Sequence, residues 1–281
     1  MTQALRGDTK TVAFFVVSTF TVSWACWFLA PHLGRTGLYF KIFNSWHGIS
    51  SNTGLTFLGN YTPGIVAIAT LYWMGGWREV AKLLGRLNPL RVKISCFFLA
   101  ALLPIGILFA PACMNLLTRG TNIPLPVLST WIQHLLINLP FAPLWEELGW
   151  RGFLLPRLQS TYNGFRASLL VGLIWGPWHA PLQLQLYKDS SNIPALVGFP
   201  VFCIFVVGLS VIVTWLYNRS RGFLLPCILF HGVLNMISPY FVDAAIARDG
   251  IRPMLWATLS VSLAAGFLRF QAGENLGSES S

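Results

Sequence analysis

The sequence predicts an all-α protein, a polytopic transmembrane bundle of about eight helices that encloses a polar cavity. Hydrophobic residues make up 54% of the 281 residues and charged residues only 10%, whereas a soluble domain has about 25% charged residues. Apolar runs of about 20 residues recur along the chain, and each is long enough to cross a hydrocarbon core of about 30 Å. None of these runs alternates with a period of two, which favours helices over a membrane barrel.

We predict one integral-membrane domain, 1–281, with a short polar tail at 272–281. Several prolines, among them Pro140 and Pro177, lie within the apolar runs, where neighbouring helices can satisfy the carbonyl groups that proline frees. Kinked helices around a cavity are therefore expected. The predicted spans are about 11–30, 57–76, 94–117, 127–150, 166–186, 196–217, 222–242 and 253–270.

The charge pattern is typical of membrane loops. The chain has a net charge of +10, but its cations stand in short clusters between apolar runs, so nucleic acid is not an expected partner and membrane lipids are. Thirteen of the 19 Lys and Arg residues fall on one side of the eight predicted spans and six on the other. The positive-inside rule then predicts a multi-pass protein with both termini in the cytoplasm. No feature of the sequence indicates an oligomeric state.

Two adjacent carboxylates are the strongest anomaly. The chain has only nine acidic residues, and Glu146 and Glu147 are neighbours inside the apolar stretch 138–155. A charge near the membrane centre costs about 2.5 to 3.5 kcal/mol on insertion scales, so such residues face a cavity, find partners and usually serve a function. Glu147 and Arg151 are four residues apart, in the order that favours a structural ion pair. Adjacent helical residues point about 100° apart, so Glu146 is predicted to be the free carboxylate.

Two other spans carry histidine. His179 lies well inside the fifth predicted span, while His231 and Asn235 lie four residues apart on one face of the seventh. Each group also has a structural interpretation: a buried hydrogen bond for His179, and an interhelical hydrogen-bonded pair for His231 and Asn235. Because three separate spans carry a costly polar group at a comparable distance from the cytoplasmic side, we predict that the three groups converge on one polar cavity.

This set of side chains suits hydrolysis by an activated water molecule. Glu146 is predicted to be the general base, with His179 holding the water and moving the proton. His231 and Asn235 are predicted to donate hydrogen bonds to the oxyanion of a tetrahedral intermediate. No serine or cysteine has a clear place in this set, which argues against a covalent mechanism.

Zinc chemistry is the competing interpretation of the same residues. One carboxylate and two histidines, here Glu146, His179 and His231, are a plausible set of zinc ligands. The chain lacks the His-Glu-x-x-His spacing that places two ligands and a base on one helix, so a site without metal or other cofactor is favoured. On either interpretation the catalytic core is predicted at about 127–242.

Three motifs in these spans resemble those of a known family. The segment Glu146 to Arg151 resembles the motif Glu-Glu-x-x-x-Arg, and His231 to Asn235 resembles His-x-x-x-Asn. Between them, Trp175 to His179 resembles an aromatic residue followed by three residues and His, with Trp175 where phenylalanine is common. Together the motifs are similar to those of the CPBP family, intramembrane proteases grouped with type II CAAX prenyl endopeptidases and bacteriocin-processing enzymes.

The resemblance implies an eight-helix membrane fold and an endopeptidase that uses a glutamate-activated water, although the family has also been described as metal-dependent. The substrates of the family range from prenylated C-terminal tails to peptide precursors, so a peptide or prenylated peptide is the implied partner. Carried over by position, Glu146 and His179 are the base machinery. The remaining implied residues are His231 and Asn235 as the oxyanion hole, with Glu147 and Arg151 as supports.

Two other function classes compete with proteolysis. Buried Glu and His residues also form proton relays, so a proton-coupled membrane transporter is an alternative. Carriers of many folds have related halves, and the first half of this chain has no second Glu-Glu pattern. A catalytically inactive immunity or interaction protein is the other alternative, although every polar residue expected of an active site is present.

Overall fold

A computed structural model describes residues 9–32, 54–119, 128–190, 193–238 and 250–278, and no strand occurs within these ranges. The protein is a helical bundle, as the composition predicts. Its helices are α1 (Thr9–Leu29), α2 (Gly54–Leu84), α3 (Ile94–Arg119), α4 (Leu128–Asn138), α5 (Ala142–Gly149), α6 (Leu155–Gln159), α7 (Gly164–Trp178), α8 (Ala180–Ser190), α9 (Ala195–Arg219), α10 (Leu225–Ser238) and α11 (Arg252–Ala272).

Three of the described helices, α1, α9 and α11, are long and apolar enough to cross a membrane. Shorter apolar helical stretches lie at Ile94–Phe109, within α3, and at Leu225–Ser238. The three long helices are those of an integral membrane protein, because their apolar length matches the hydrocarbon core. The number of eight spans stays a prediction. The ends of two predicted spans, at residue 127 and at 239–242, and the last tail residues, 279–281, lie outside the described ranges.

Two predicted spans are each divided into two helices at a proline-rich segment, in line with the expected kinks. The span 127–150 divides into α4 and α5 around Pro140, which has no N–H for the helical ladder and restricts the residue before it. The span 166–186 divides into α7 and α8 at His179. There the ring of Pro181 is incompatible with the carbonyl of Pro177, one turn earlier in a regular helix.

Helix α5 lies unusually close to α2. A Cβ atom added at Gly149 would lie 2.5 Å from Cβ of Pro63, and one added at Gly64 would lie 2.7 Å from the carbonyl oxygen of Trp145. Both distances are shorter than carbon and oxygen atoms tolerate, so the two helices meet backbone to backbone at these glycines. This contact positions the helix that carries both buried glutamates.

We expect Gly149→Ala to destabilise the protein by about 1–3 kcal/mol, the usual cost of overpacking a close contact. The thermal unfolding midpoint in detergent is the measurement. Gly106→Ala is the control, because Gly106 is exposed in α3 with no atom within 4 Å of an added Cβ. Equal midpoints for the two variants would contradict the packing argument.

A single π turn, Trp150–Leu154, continues α5 into α6. All five of its residues are buried, and isolated π turns occur frequently at functional sites. Arg86 holds the turn from outside: its Nη1 atom donates hydrogen bonds to the carbonyl oxygen of Gly152 at 3.2 Å and to the hydroxyl of Tyr217 at 2.9 Å. These hydrogen bonds connect the loop after α2 to the π turn, which follows the two glutamates in sequence.

Candidate active site

The two adjacent glutamates of α5 have separate partners. Oε1 of Glu147 accepts hydrogen bonds from Nη1 of Arg151 at 3.0 Å and from Nδ1 of His231 at 2.9 Å. Oε2 of Glu146 accepts a hydrogen bond from the indole Nε1 of Trp175 at 2.9 Å. Both carboxylates are buried, with 4% exposure for Glu146 and 0% for Glu147. The different directions of neighbouring helical side chains therefore divide the pair between two sets of contacts.

The ion pair predicted between Glu147 and Arg151 is present, and both side chains are fully buried. Two further donors of the guanidinium, Nε and Nη2, and the second oxygen of Glu147 have no hydrogen-bond partner among the described residues. The guanidinium also lies over the ring of Trp175, 4.5 Å from its centroid. Since a buried cation without a counterion is strongly unfavourable, the charge of Glu147 is committed to this pair.

His231, in the middle of α10, joins the same carboxylate. An ionised carboxylate only accepts hydrogen bonds, so Nδ1 of His231 carries the proton that it shares with Glu147. The other ring nitrogen, Nε2, is the atom that remains for a ligand. Asn235 follows one helical turn later, is partly exposed, and has no hydrogen-bond partner among the described residues. The interhelical hydrogen bond considered from the spacing is therefore present for His231, whose partner is Glu147, but not for Asn235 among the described residues.

His179 lies within the fifth predicted span, at the break between α7 and α8. It is the C-cap residue of α7 and is partly exposed. Its Nδ1 atom is 3.0 Å from the carbonyl oxygen of Trp175. A carbonyl oxygen only accepts, so Nδ1 is the protonated nitrogen, and Nε2 keeps a lone pair in the neutral ring. The rings of Trp178 and Phe202 pack edge-on against the imidazole, at centroid distances of 4.7 and 5.4 Å.

Trp175, the aromatic position of the second motif, makes contacts with the site residues that the sequence analysis did not predict. Besides Glu146 and Arg151, its ring lies 5.5 Å from that of His231 and 5.9 Å from that of His179. A tryptophan in an apolar span looks like a core residue in sequence. The available signal was its position four residues before His179, which places both side chains on one helical face.

The structure brings most of the predicted site residues together. Direct contacts through Trp175 and Glu147 connect α5, α7 and α10, as the convergence of three spans requires. Asn235 is near this cluster only by its place on α10, one turn from His231, because no described contact connects it to the other residues. Within the described part of the chain, no group of three or more His, Cys, Asp or Glu side chains is arranged to hold a metal ion.

Comparisons with known proteins lead to one family. Residues 127–237 match the family model described as type II CAAX prenyl endopeptidase Rce1-like. The chain is also similar to a protein named CAAX prenyl protease 2 from Methanococcus maripaludis, with 27% identity over 246 residues, which cover 79% of this chain and 82% of that relative. The family resemblance predicted from the three motifs is confirmed: the match to the Rce1-like, type II CAAX prenyl endopeptidase model covers residues 127–237, a segment that contains all six candidate site residues.

Proposed function

We propose that this protein is an intramembrane endopeptidase in which Glu146 activates a water molecule for attack on a peptide bond. The observation that carries the proposal is that two neighbouring carboxylates have different hydrogen-bond partners. Glu147 is held by a guanidinium and an imidazole, whereas the hydrogen bond to Glu146 comes from an uncharged indole. Only Glu146 is therefore free to accept a proton without breaking a buried ion pair.

In the proposed reaction, a water molecule lies between Glu146 and Nε2 of His179. Glu146 removes one proton while the water oxygen attacks the scissile carbonyl carbon, which forms a tetrahedral intermediate. The proton then moves to the leaving nitrogen, the C–N bond breaks, and the carboxylate is restored. The lone pair on Nε2 of His179 suits it to hold the second hydrogen of the water, since Nδ1 is occupied by the carbonyl of Trp175.

The oxyanion of the intermediate is proposed to bind His231 and Asn235. When both ring nitrogens of His231 carry a proton, Nε2 presents a second N–H donor while Nδ1 donates to Glu147. The carboxamide of Asn235 has no hydrogen-bond partner among the described residues, so its N–H donors are available to a substrate oxygen. A preorganised pair of donors of this kind stabilises the charge that develops in the transition state.

We expect Asn235→Ala to lower kcat by ~10² to 10³, the usual effect of removing one oxyanion donor. Steady-state cleavage by the purified protein is the measurement, with KM changing little because the interaction strengthens in the transition state. Ser238→Ala is the matched control, since it removes another partly exposed polar group from the same helix. If both variants keep the wild-type kcat, Asn235 is not an oxyanion donor.

A membrane-associated, prenylated C-terminal peptide is the proposed substrate. The matched relative is named a CAAX prenyl protease and the matched family a prenyl endopeptidase family. The test compares a fluorogenic farnesylated CAAX peptide with an unprenylated copy, with and without chelator. Cleavage of the farnesylated peptide alone, unchanged by chelator, supports a prenyl endopeptidase without a metal. Cleavage lost on chelation and restored by zinc would replace the metal-free mechanism. Cleavage of neither peptide would favour a dedicated peptide precursor as the substrate, or the transporter or interaction class.

Both termini are proposed to be cytoplasmic, with eight membrane crossings. The division of the cations, thirteen against six, supports this orientation. A reporter enzyme active only in the cytoplasm, fused to the C-terminus, is expected to be active. An inactive reporter on a stably expressed fusion, together with activity of its periplasmic counterpart, would reverse the orientation.

A further inference from the structure

We propose that Trp175 is the positioning residue of the general base, and that its indole N–H fixes which oxygen of Glu146 faces the attacking water. This inference rests on the proposed function and deepens it, because neither the motifs nor the family match assigns a role to this side chain. Trp175 touches four members of the candidate site through four different parts of its structure.

The hydrogen bond to Glu146 is the first of these contacts. Nε1 of Trp175 is 2.9 Å from Oε2 of Glu146, and both residues are buried, at 4% exposure each. A carboxylate whose Oε2 is bound in this way cannot rotate freely about its last torsion, so Oε1 keeps one direction. General base catalysis depends on that direction, since a displacement of about 1 Å at a reacting group can cost about 10²-fold in rate.

The second group of contacts fixes the indole itself. Its face carries the guanidinium of Arg151, 4.5 Å from the ring centroid, in a cation–π contact that holds best where water is excluded. The ring of His231 forms a T-shaped pair with the indole, at a centroid distance of 5.5 Å. The ion pair of Glu147 with Arg151 therefore also fixes the plane of Trp175, which in turn fixes Glu146.

The third contact links the base to the other catalytic histidine. The backbone carbonyl of Trp175 accepts the hydrogen bond from Nδ1 of His179 at 3.0 Å. One residue thus orients Glu146 with its side chain and His179 with its main chain. Glu146 and His179 are the two groups that are proposed to hold the water. The last turn of α7, which contains Trp175, therefore orients both of them.

A neighbouring tryptophan provides the matched comparison. Trp178 lies in the same helix and is 0% exposed, but its Nε1 has no hydrogen-bond partner among the described residues. Trp175→Phe and Trp178→Phe each shrink a buried ring and remove an indole N–H. Only the first removes a hydrogen bond to a carboxylate. The Trp178→Phe variant controls for a smaller buried ring, and an isostere of tryptophan without the N–H controls for the ring contacts of Trp175 with Arg151 and His231.

The first measurement is steady-state cleavage of the farnesylated CAAX peptide. We expect Trp175→Phe to lower kcat about 10- to 100-fold at nearly constant KM, and Trp178→Phe to lower it less. Replacing Trp175 by 3-benzothienylalanine, which keeps the ring shape and lacks the N–H, is expected to reproduce the loss even if the phenylalanine variant folds poorly. A benzothienylalanine enzyme with wild-type kcat would overturn the proposal.

The second measurement does not depend on proteolysis. In a spectrum of 15N-labelled indole groups, the Nε1–H signal of Trp175 is assigned by its loss in Trp175→Phe. We expect this signal to lie downfield in the wild type and to move upfield in Glu146→Gln, because a neutral amide oxygen accepts more weakly than a carboxylate. A signal unmoved by Glu146→Gln would overturn the proposal. If the signal moves but no peptide is cleaved, the hydrogen bond stands and the proposed protease function fails.

Discussion

Glu146→Gln is expected to abolish peptide cleavage while leaving the fold intact. Loss of a general base typically costs ~10² to 10⁴ in rate. We expect the upper part of that range, because the neighbouring carboxylate of Glu147 is held in a buried ion pair and is not free to replace Glu146. Glutamine has nearly the same shape, and its carbonyl oxygen can still accept the hydrogen bond from Trp175. The measurement is kcat on the farnesylated peptide, beside the thermal unfolding midpoint.

The comparison for this prediction is a glutamate with no place in the site. Glu274 has an exposed side chain, at 66% relative accessibility, and pairs with Arg269 at 3.1 Å. Glu274→Gln is therefore expected to keep the wild-type kcat in the same preparation. If Glu146→Gln retains activity within about tenfold of the wild type, another group is the base and the proposed mechanism is wrong.

Glu147→Gln is expected to cause a large loss of stability, whereas Glu146→Gln is expected to cause a loss of activity with an intact fold. The substitution leaves the guanidinium of Arg151 buried at 0% exposure without its counterion, and breaking a buried pair in this way costs about 3–5 kcal/mol. It also weakens the partner that holds His231. The measurement is the free energy of unfolding in mixed detergent. This free energy should be much smaller for Glu147→Gln than for Glu146→Gln, although both variants replace a buried carboxyl group by an amide.

A double-mutant cycle separates the ion pair from the volume change. Arg151→Met alone is expected to destabilise, because it leaves the carboxylate of Glu147 without its cation. The double variant Glu147→Gln with Arg151→Met is expected to be more stable than the sum of the two losses predicts, since neither charge is then left alone. Strictly additive losses would show that the 3.0 Å contact contributes no coupling energy.

The division between the two glutamates shows where sequence reasoning is strong. The spacing of Glu147 and Arg151 predicts a helical ion pair, and that pair is present, because contacts between residues four apart depend only on the local helix. The same geometry predicts that Glu146 points elsewhere. What it points at was not predictable, because Trp175 is separated from it by 29 residues and the crossing of two helices decides the contact.

The two broken spans show a second kind of difference. Hydropathy treats 127–150 and 166–186 as continuous, since prolines within apolar runs are common in membrane helices. The structure ends α4 before Pro140 and α7 before His179. Whether a proline kinks a helix or ends it depends on whether neighbouring groups satisfy the freed backbone, and that information is tertiary.

The sequence by itself determined the helical class, the membrane setting and the family resemblance, because each of these follows from composition, local spacing or short motifs. Only the tertiary structure decided which residues are hydrogen-bond partners: His231 bonds to Glu147 and Trp175 to Glu146. It also decided that His179 lies at the end of a helix. The physical reason is the range of the interactions. Periodicity and i,i+4 contacts are properties of one helix, whereas a hydrogen bond between helices exists only once glycine contacts and helix breaks have fixed how the helices pack.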